Sequence, residues 1–194
     1  MRPATVSIPR ATAIDLPALH ALLRLYYSEG DVHHTEDEQS LNAYLHQHPY
    51  GFFLAELSPT PTRRQVAGCV LYRPLDTIPH AAECKRLFVL PKFRGHNIAA
   101  RLMDTLEDTA RASGLRWIYL DSKDNFQAAI TMYRRRGYTD CPATTRTPRP
   151  PSFSTKILHL HKTSHCEAAP HPNGNSSTPT PQCPAACVTA HIPP

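Results

Sequence analysis

The sequence predicts a mixed α/β fold: a twisted, mostly antiparallel central sheet of about seven strands, flanked by about four helices and followed by a disordered C-terminal tail. Three observations carry that expectation. Segments with strand and helix periodicity alternate in the order β-α-α-β-β-β-α-β-α-β-β. Between Arg94 and Ser113 the apolar residues Ile98, Leu102 and Leu106 recur at every fourth position, with Ala99 and Met103 beside them, as on an amphipathic helix. After Lys162 the composition changes abruptly.

The elements follow in order. Val6–Ala11 alternates as a short strand. Asp15 is placed to cap a helix, with Pro17 in the first turn, where a missing N–H costs little. Leu16, Leu19, Leu22, Leu23 and Tyr26 share one face of that helix, and Gly30 closes it. A second, polar helix is expected over Glu36–Gln47. Gly51–Leu57 and Gln65–Tyr72 read as a hairpin whose turn, Ser58-Pro59-Thr60-Pro61-Thr62, is too rich in proline to be strand. Ala82–Leu90 is a strand stopped by Pro91, and the amphipathic helix after it ends at Gly114. Arg116–Asp121 is a strand, and Asn125–Arg136 is a helix with Gly137 at its C-terminal cap. Strands near Tyr138–Cys141 and Ser154–His161 flank a proline-rich loop over 142–152.

The chain has 194 residues, which suits one domain, residues 1–162, and a tail, residues 163–194. The tail holds seven of the 20 prolines, one acidic residue, no lysine or arginine and no aromatic residue, so it cannot offset the entropy of ordering. All 21 basic residues therefore fall in 1–162 with 15 of the 16 acidic ones, a domain charge of 21 − 15 = +6. No apolar run approaches the roughly 20 residues that span a bilayer, and MRPATVSIPR lacks the apolar centre of a signal peptide. Six cysteines are too sparse for a disulfide scaffold, so a reducing cytoplasm is the expected setting. Cys183-x-x-x-Cys187 with nearby histidines lacks the second tight pair of a structural zinc site, and no metal is expected.

Chemistry points to the junction Leu87-Phe88-Val89-Leu90-Pro91-Lys92-Phe93-Arg94-Gly95-His96-Asn97-Ile98-Ala99-Ala100. A strand, a tight turn and a helix start present unpaired backbone N–H groups to an anion, and Lys92 and Arg94 add positive charge. Neither a P-loop nor a dinucleotide fingerprint fits. Such a junction also serves as a plain helix start.

At this junction a family resemblance becomes explicit. Arg94-Gly95-His96-Asn97-Ile98-Ala99 resembles the Arg/Gln-x-x-Gly-x-Gly/Ala pyrophosphate loop of the GNAT acyl-CoA N-acyltransferases. Glu83-x-Lys85-Arg86-Leu87-Phe88-Val89-x-Pro91 is similar to the fourth strand of that superfamily, and Ala128–Tyr138 to its A-x-x-x-Y-x-x-x-G-[FY] helix. Arg10-Ala11-Thr12-x-x-Asp15-Leu16 is similar to its opening segment. The resemblance covers residues 4–162 and implies the GNAT fold.

It also implies roles. The diphosphate of acetyl-CoA would sit on the N–H groups of Arg94, Gly95, His96, Asn97, Ile98, Ala99 and Ala100, and the pantetheine arm would run along Leu87, Phe88 and Val89. The Val89 N–H could steady the thioester oxygen. Tyr133 would protonate the leaving thiolate, against the reading of a tyrosine packed on the sheet. Glu83 would act as general base through water, against that of an ion pair with Lys85 or Arg86. Two departures stand out: Asn97 replaces the usual glycine, and Phe126 occupies the place of a CoA-contacting Asn, with Asn125 one residue out of register.

Other residues read more blandly. His33-His34 can contact an acceptor or lie in a solvated loop, and Arg134-Arg135-Arg136 can face solvent or the CoA 3′-phosphate. Trp117 and Tyr119 suit the core, and Cys69 and Cys84 suit buried strand positions.

The leading expectation is an enzyme that transfers acetyl from acetyl-CoA to a primary amine of a small molecule, by direct attack in a ternary complex. A protein or peptide amine is the second choice. A catalytically weak or inactive acyl-CoA-binding module with the same fold is the alternative. No nucleic-acid motif accompanies the +6 charge, which argues against a polycationic acceptor. A homodimer, as in many relatives, stays open.

Overall fold

The computed structural model describes residues 5–30, 36–46, 50–60, 63–76, 78–123, 126–140 and 155–161. Its elements follow the predicted order: β1 (Thr5–Ser7), α1 (Leu16–Gly30), α2 (Glu38–His46), β2 (Gly51–Thr60), β3 (Arg63–Pro74), β4 (Ala81–Val89), α3 (Ile98–Ala112), β5 (Trp117–Lys123), α4 (Gln127–Arg135), β6 (Thr139–Asp140) and β7 (Thr155–His161). The expectations for the tail, His33-His34, Asn125 and the loop 142–152 lie outside the described residues.

The strands form one sheet in the order β1-β2-β3-β4-β5-β7-β6. Among the described residues only β4 and β5 pair in parallel, as suits strands joined by a helical crossover. The run Phe52-Phe53-Leu54-Ala55 explains how helices come to lie on both faces. Successive strand residues point to opposite sides, so Phe52 and Leu54 pack with Leu19, Leu22, Leu23, Leu41 and Leu45 of α1 and α2. Phe53 and Ala55 pack on the other side with Ile98, Leu102, Met103 and Leu106 of α3 and Tyr133 of α4. Leu102 and Leu106 are fully buried, and truncating either to alanine removes about 2–5 kcal/mol.

Three boundaries differ from the sequence reading. The strand expected at Val6–Ala11 ends at Ser7, because Pro9 offers no N–H; its register resumes as an isolated bridge between Arg10 and Phe53. The cap before α1 is Thr12 rather than Asp15. The Asp15 carboxylate reaches back to accept from the Thr12 N–H at 2.8 Å, closing a short 3₁₀ turn, Ala13–Asp15, that leads into α1. Pro59 and Thr60 belong to β2 after all: Thr60 pairs with Arg63, and the proline is tolerated at a register shift between Leu57 and Thr60.

A fourth difference matters more. Arg94–Asn97 is not the first turn of α3, which begins at Ile98 behind a 3₁₀ turn, Pro91–Phe93. In β4, three steps from Lys85 to Phe88 oppose two steps in β3, from Leu71 to Cys69. That extra residue is a bulge, and Arg86 within it has φ of 55°. Beyond the bulge β4 presses close to β3, where only glycine fits: a Cβ on Gly68 would stand 2.4 Å from the Phe88 carbonyl oxygen.

Candidate active site

The parallel pairing of β4 with β5 runs from Ala81 opposite Trp117 to Cys84 opposite Leu120 and goes no further. From Lys85 to Val89, β4 has no β5 partner, so the edge bearing Leu87, Phe88 and Val89 is open toward β5. On its other edge β5 pairs with β7 along its whole length, from Trp117 opposite His161 to Lys123 opposite Thr155. Parallel strands that part in this way leave main-chain groups free to hydrogen-bond an extended ligand.

The open edge leads to the start of α3. The first backbone bond of that helix is donated by Arg101 to the Asn97 carbonyl at 3.2 Å, so the N–H groups of Ile98, Ala99 and Ala100 precede the ladder. Gly95 has φ of 81°, and a Cβ there would meet nothing within 4 Å, which leaves the approach clear. Asn97 has φ of 59° and ψ of 18°, the left-handed conformation that glycine adopts freely and asparagine tolerates best among the others. The departure from glycine therefore keeps the turn. Aligned N–H groups at a helix start favour a phosphate.

Arg94 follows the 3₁₀ turn Pro91–Phe93. It reaches back along β4, where its Nε donates to the Val89 carbonyl at 3.1 Å and its guanidinium lies over the Phe88 ring. It also pairs with Glu29 of α1 at 2.5 Å. His96 is exposed, with Nδ1 3.0 Å from the Arg94 carbonyl oxygen.

Tyr133 rises from α4 into the core cluster beside Cys84, 6% exposed, with its ring 5.7 Å from that of Tyr138. Burial pushes its phenol well above the ordinary value, and the nearby Cys84, Tyr26 and Asp121 add to that. It is a proton donor over the whole physiological range.

Glu83 is 4% exposed and held by two cations. Arg73 donates to it through Nε at 2.7 Å and pairs through Nη2 at 2.6 Å, while Lys85 Nζ lies 3.0 Å away. Lys85 is the ion-pair partner the sequence suggested; Arg86 pairs instead with Glu36. The chain of charges continues to Asp121, 2.6 Å from Lys85, and to Tyr44, whose hydroxyl accepts from Arg73 at 3.3 Å. Sequence reasoning missed Arg73, Tyr44 and Asp121. The signal exists only in the register, which sets Arg73 opposite Glu83.

Of the remaining candidates, Trp117 and Tyr119 lie in a small core cluster with Leu75, Ile78 and Ala81. Cys69 and Cys84 are buried; desolvation raises the first thiol to about 12 and the second further still, so neither is a ready nucleophile. Arg136 is tied to Asp104 at 2.6 Å and to buried Glu107 at 2.9 Å, joining α4 to α3. Arg134 pairs with Asp140 at the surface. Phe126 takes the N-cap position of α4. Among the described residues no group of three or more metal-ligating side chains converges, and no helix is long and apolar enough to cross a membrane.

Several solved structures share this fold. An acetyltransferase of the GNAT family from Staphylococcus aureus Mu50 superposes with a TM-score of 0.65 at 19% identity, covering 81% of this chain and 99% of that one. N-acetylglutamate synthase from Neisseria gonorrhoeae, complexed with coenzyme A and N-acetyl-glutamate, gives 0.64 at 20% identity over 82% of this chain and 36% of that longer one. An IAA acetyltransferase from Azospirillum brasilense is 31% identical over 136 residues, 70% of this chain and 85% of that protein. The sequence profile described as "Acetyltransferase (GNAT) family" matches residues 16–138. The chain belongs to the GNAT acetyltransferase family. It is an acyl-CoA-dependent N-acetyltransferase, with acetyl-CoA as co-substrate.

Proposed function

We propose that residues 1–162 form a catalytic unit that moves an acetyl group from acetyl-CoA to a primary amine of a small molecule, by direct attack within a ternary complex. Two observations support this reading: the amides of Ile98, Ala99 and Ala100 precede the α3 ladder, and β4 has no β5 partner beyond Cys84. The helix start takes the diphosphate, with Gly95, His96 and Asn97 shaping the turn. The edge Leu87–Val89 takes the pantetheine amides as a further strand would.

The amine nitrogen then attacks the thioester carbon, and the C–S bond breaks as the amide C–N bond forms. The Val89 N–H steadies the developing oxyanion. Tyr133 gives its proton to the departing thiolate, and the proton shed by the amine passes through water to Glu83. Holding both reactants in one site removes most of the entropic barrier of a bimolecular step. Among the described residues, the thiols of Cys69 and Cys84 are buried and inert and offer no covalent route in competition.

Relatives differ in acceptor, as the names N-acetylglutamate synthase and ribosomal-protein-S18-alanine N-acetyltransferase show for those proteins. A small acceptor suits a site beside the compensated charges of Arg73 on β3, Glu83 and Lys85 on β4 and Asp121 on β5. A cytoplasmic setting supplies acetyl-CoA and keeps Cys69 and Cys84 reduced. The test is an acetyl-CoA-dependent thiol-release screen across amine classes. Release with a small primary amine supports the proposal, and acetyl-CoA binding without release from any amine identifies a binding module instead.

A further inference from the structure

Arg86 occupies the β4 bulge with φ of 55°, a conformation disfavoured for any residue with a Cβ and natural for glycine. A side chain kept there needs a reason, and its contacts supply one. Nε donates to both carboxylate oxygens of Glu36, at 2.9 and 3.1 Å, and Nη2 pairs with Glu36 at 2.7 Å. The guanidinium lies over the rings of Tyr26 and Tyr27, 5.6 and 5.4 Å from their centres, and the Tyr27 hydroxyl also donates to Glu36. Both charged side chains are 11% exposed. The backbone carbonyl of Arg86 accepts from the Cys69 thiol at 3.6 Å.

The guanidinium is thus spent within the protein and is not itself a ligand-binding cation. What it holds is Tyr26. That residue packs edge-on against Phe88 of the open edge, and its phenol lies within electrostatic range of Lys85, Asp121 and Tyr133. Sequence periodicity placed Tyr26 on the apolar stripe of α1, yet its ring also borders the Arg86 guanidinium and Phe88 of the open edge.

We propose that Arg86 is a positioning residue for the acceptor side: it clamps Tyr26 of α1 and Glu36, ahead of α2, onto the β4 bulge, so that the Tyr26 hydroxyl lines the approach of the amine. This rests on the transferase reading above. A planar fork engaged with a carboxylate and two ring faces is not reproduced by lysine.

The test compares wild type with Arg86→Gly, which keeps the positive φ without strain, and with Arg86→Lys and Glu36→Gln. Each protein is assayed with whichever of L-glutamate, spermidine, tyramine or an alanine-terminated peptide gives most thiol release in wild type. Acetyl-CoA affinity is measured separately by calorimetry. The acceptor KM is expected to rise at least about tenfold in both Arg86 variants, the fold-change for one lost charge-assisted contact, with acetyl-CoA affinity held within about twofold. Glu36→Gln raises the same KM, and combining it with Arg86→Gly adds little, because both break one latch. An unchanged acceptor KM in folded Arg86→Gly, or equal losses for both substrates, overturns the proposal. If Arg86→Gly fails to fold, Arg86→Lys and Glu36→Gln decide by the same readout. Wild-type protein that releases no thiol with any of these amines refutes the transferase reading and this inference with it.

Discussion

Lys85 Nζ lies 2.6 Å from a carboxylate oxygen of Asp121, one residue beyond Cys84 and Leu120, the last paired positions of β4 and β5. Main-chain pairing stops there and side-chain pairing takes over. The ion pair pins the apex from which the two strands part, and Glu83, 3.0 Å from the same ammonium, ties that apex to Arg73 on β3. Lys85→Met withdraws the cation shared by two carboxylates at low exposure. The expected cost is about 3–5 kcal/mol, read as a lower urea midpoint; a midpoint equal to wild type shows that the apex does not depend on this pair.

Tyr133→Phe removes a hydroxyl from a site held mainly by the tyrosine ring. Turnover is expected to fall about a hundredfold, with acetyl-CoA affinity unchanged. Because burial raises this phenol, the wild-type enzyme should show no loss of its acid anywhere in the neutral pH range. Unchanged turnover in the variant would remove Tyr133 from the reaction.

Glu83→Gln keeps the shape of the side chain and removes its charge. The pH dependence of kcat/KM is expected to shift, since the group that takes the amine proton is gone. An identical profile assigns that proton to water and leaves Glu83 as the anion that neutralises Arg73 and Lys85.

Asn97 supports a prediction in two directions. Asn97→Gly preserves the left-handed turn and opens the backbone, so acetyl-CoA should bind at least as tightly as to wild type. Asn97→Val forces a β-branched residue to φ of 59° and should weaken binding by about tenfold or more. Equal affinities for all three proteins, by calorimetry, would show that this turn does not meet the diphosphate.

The order of elements was legible because period-two and helical spacing are local properties, and the α3 stripe Ile98, Leu102, Leu106 is as buried as it reads. The turn proposed to take the diphosphate was legible for the same reason: Arg94–Ala99 is contiguous in sequence. Features that depend on register were not. The bulge at Arg86 exists only when β3 and β4 are aligned, and the pairing of Arg73 with Glu83 needs the same alignment. Tyr26 was hidden otherwise, since a tyrosine on an apolar stripe gives no sign of where its hydroxyl points.

Asp15 sets the acid limit of the N-terminal turn. Desolvation alone would raise its carboxyl, but hydrogen bonds from the Thr12 N–H, Arg64 and the Thr12 hydroxyl hold it below the ordinary value. A depressed folded-state value means that its contribution is present above about pH 4, the unfolded range, and is lost as pH falls through the folded value. Asp15→Asn should therefore be less stable than wild type at pH 7, with a smaller gap at pH 3. Parallel urea midpoints at both pH values would contradict the assignment.

The most direct test of the account is the backbone amide spectrum of 15N-labelled protein during titration with acetyl-CoA. Saturable shifts are expected at Gly95, His96, Ile98, Ala99 and Ala100, together with Leu87 and Val89 on the open edge. Saturable binding that moves other amides and leaves these in place would contradict it.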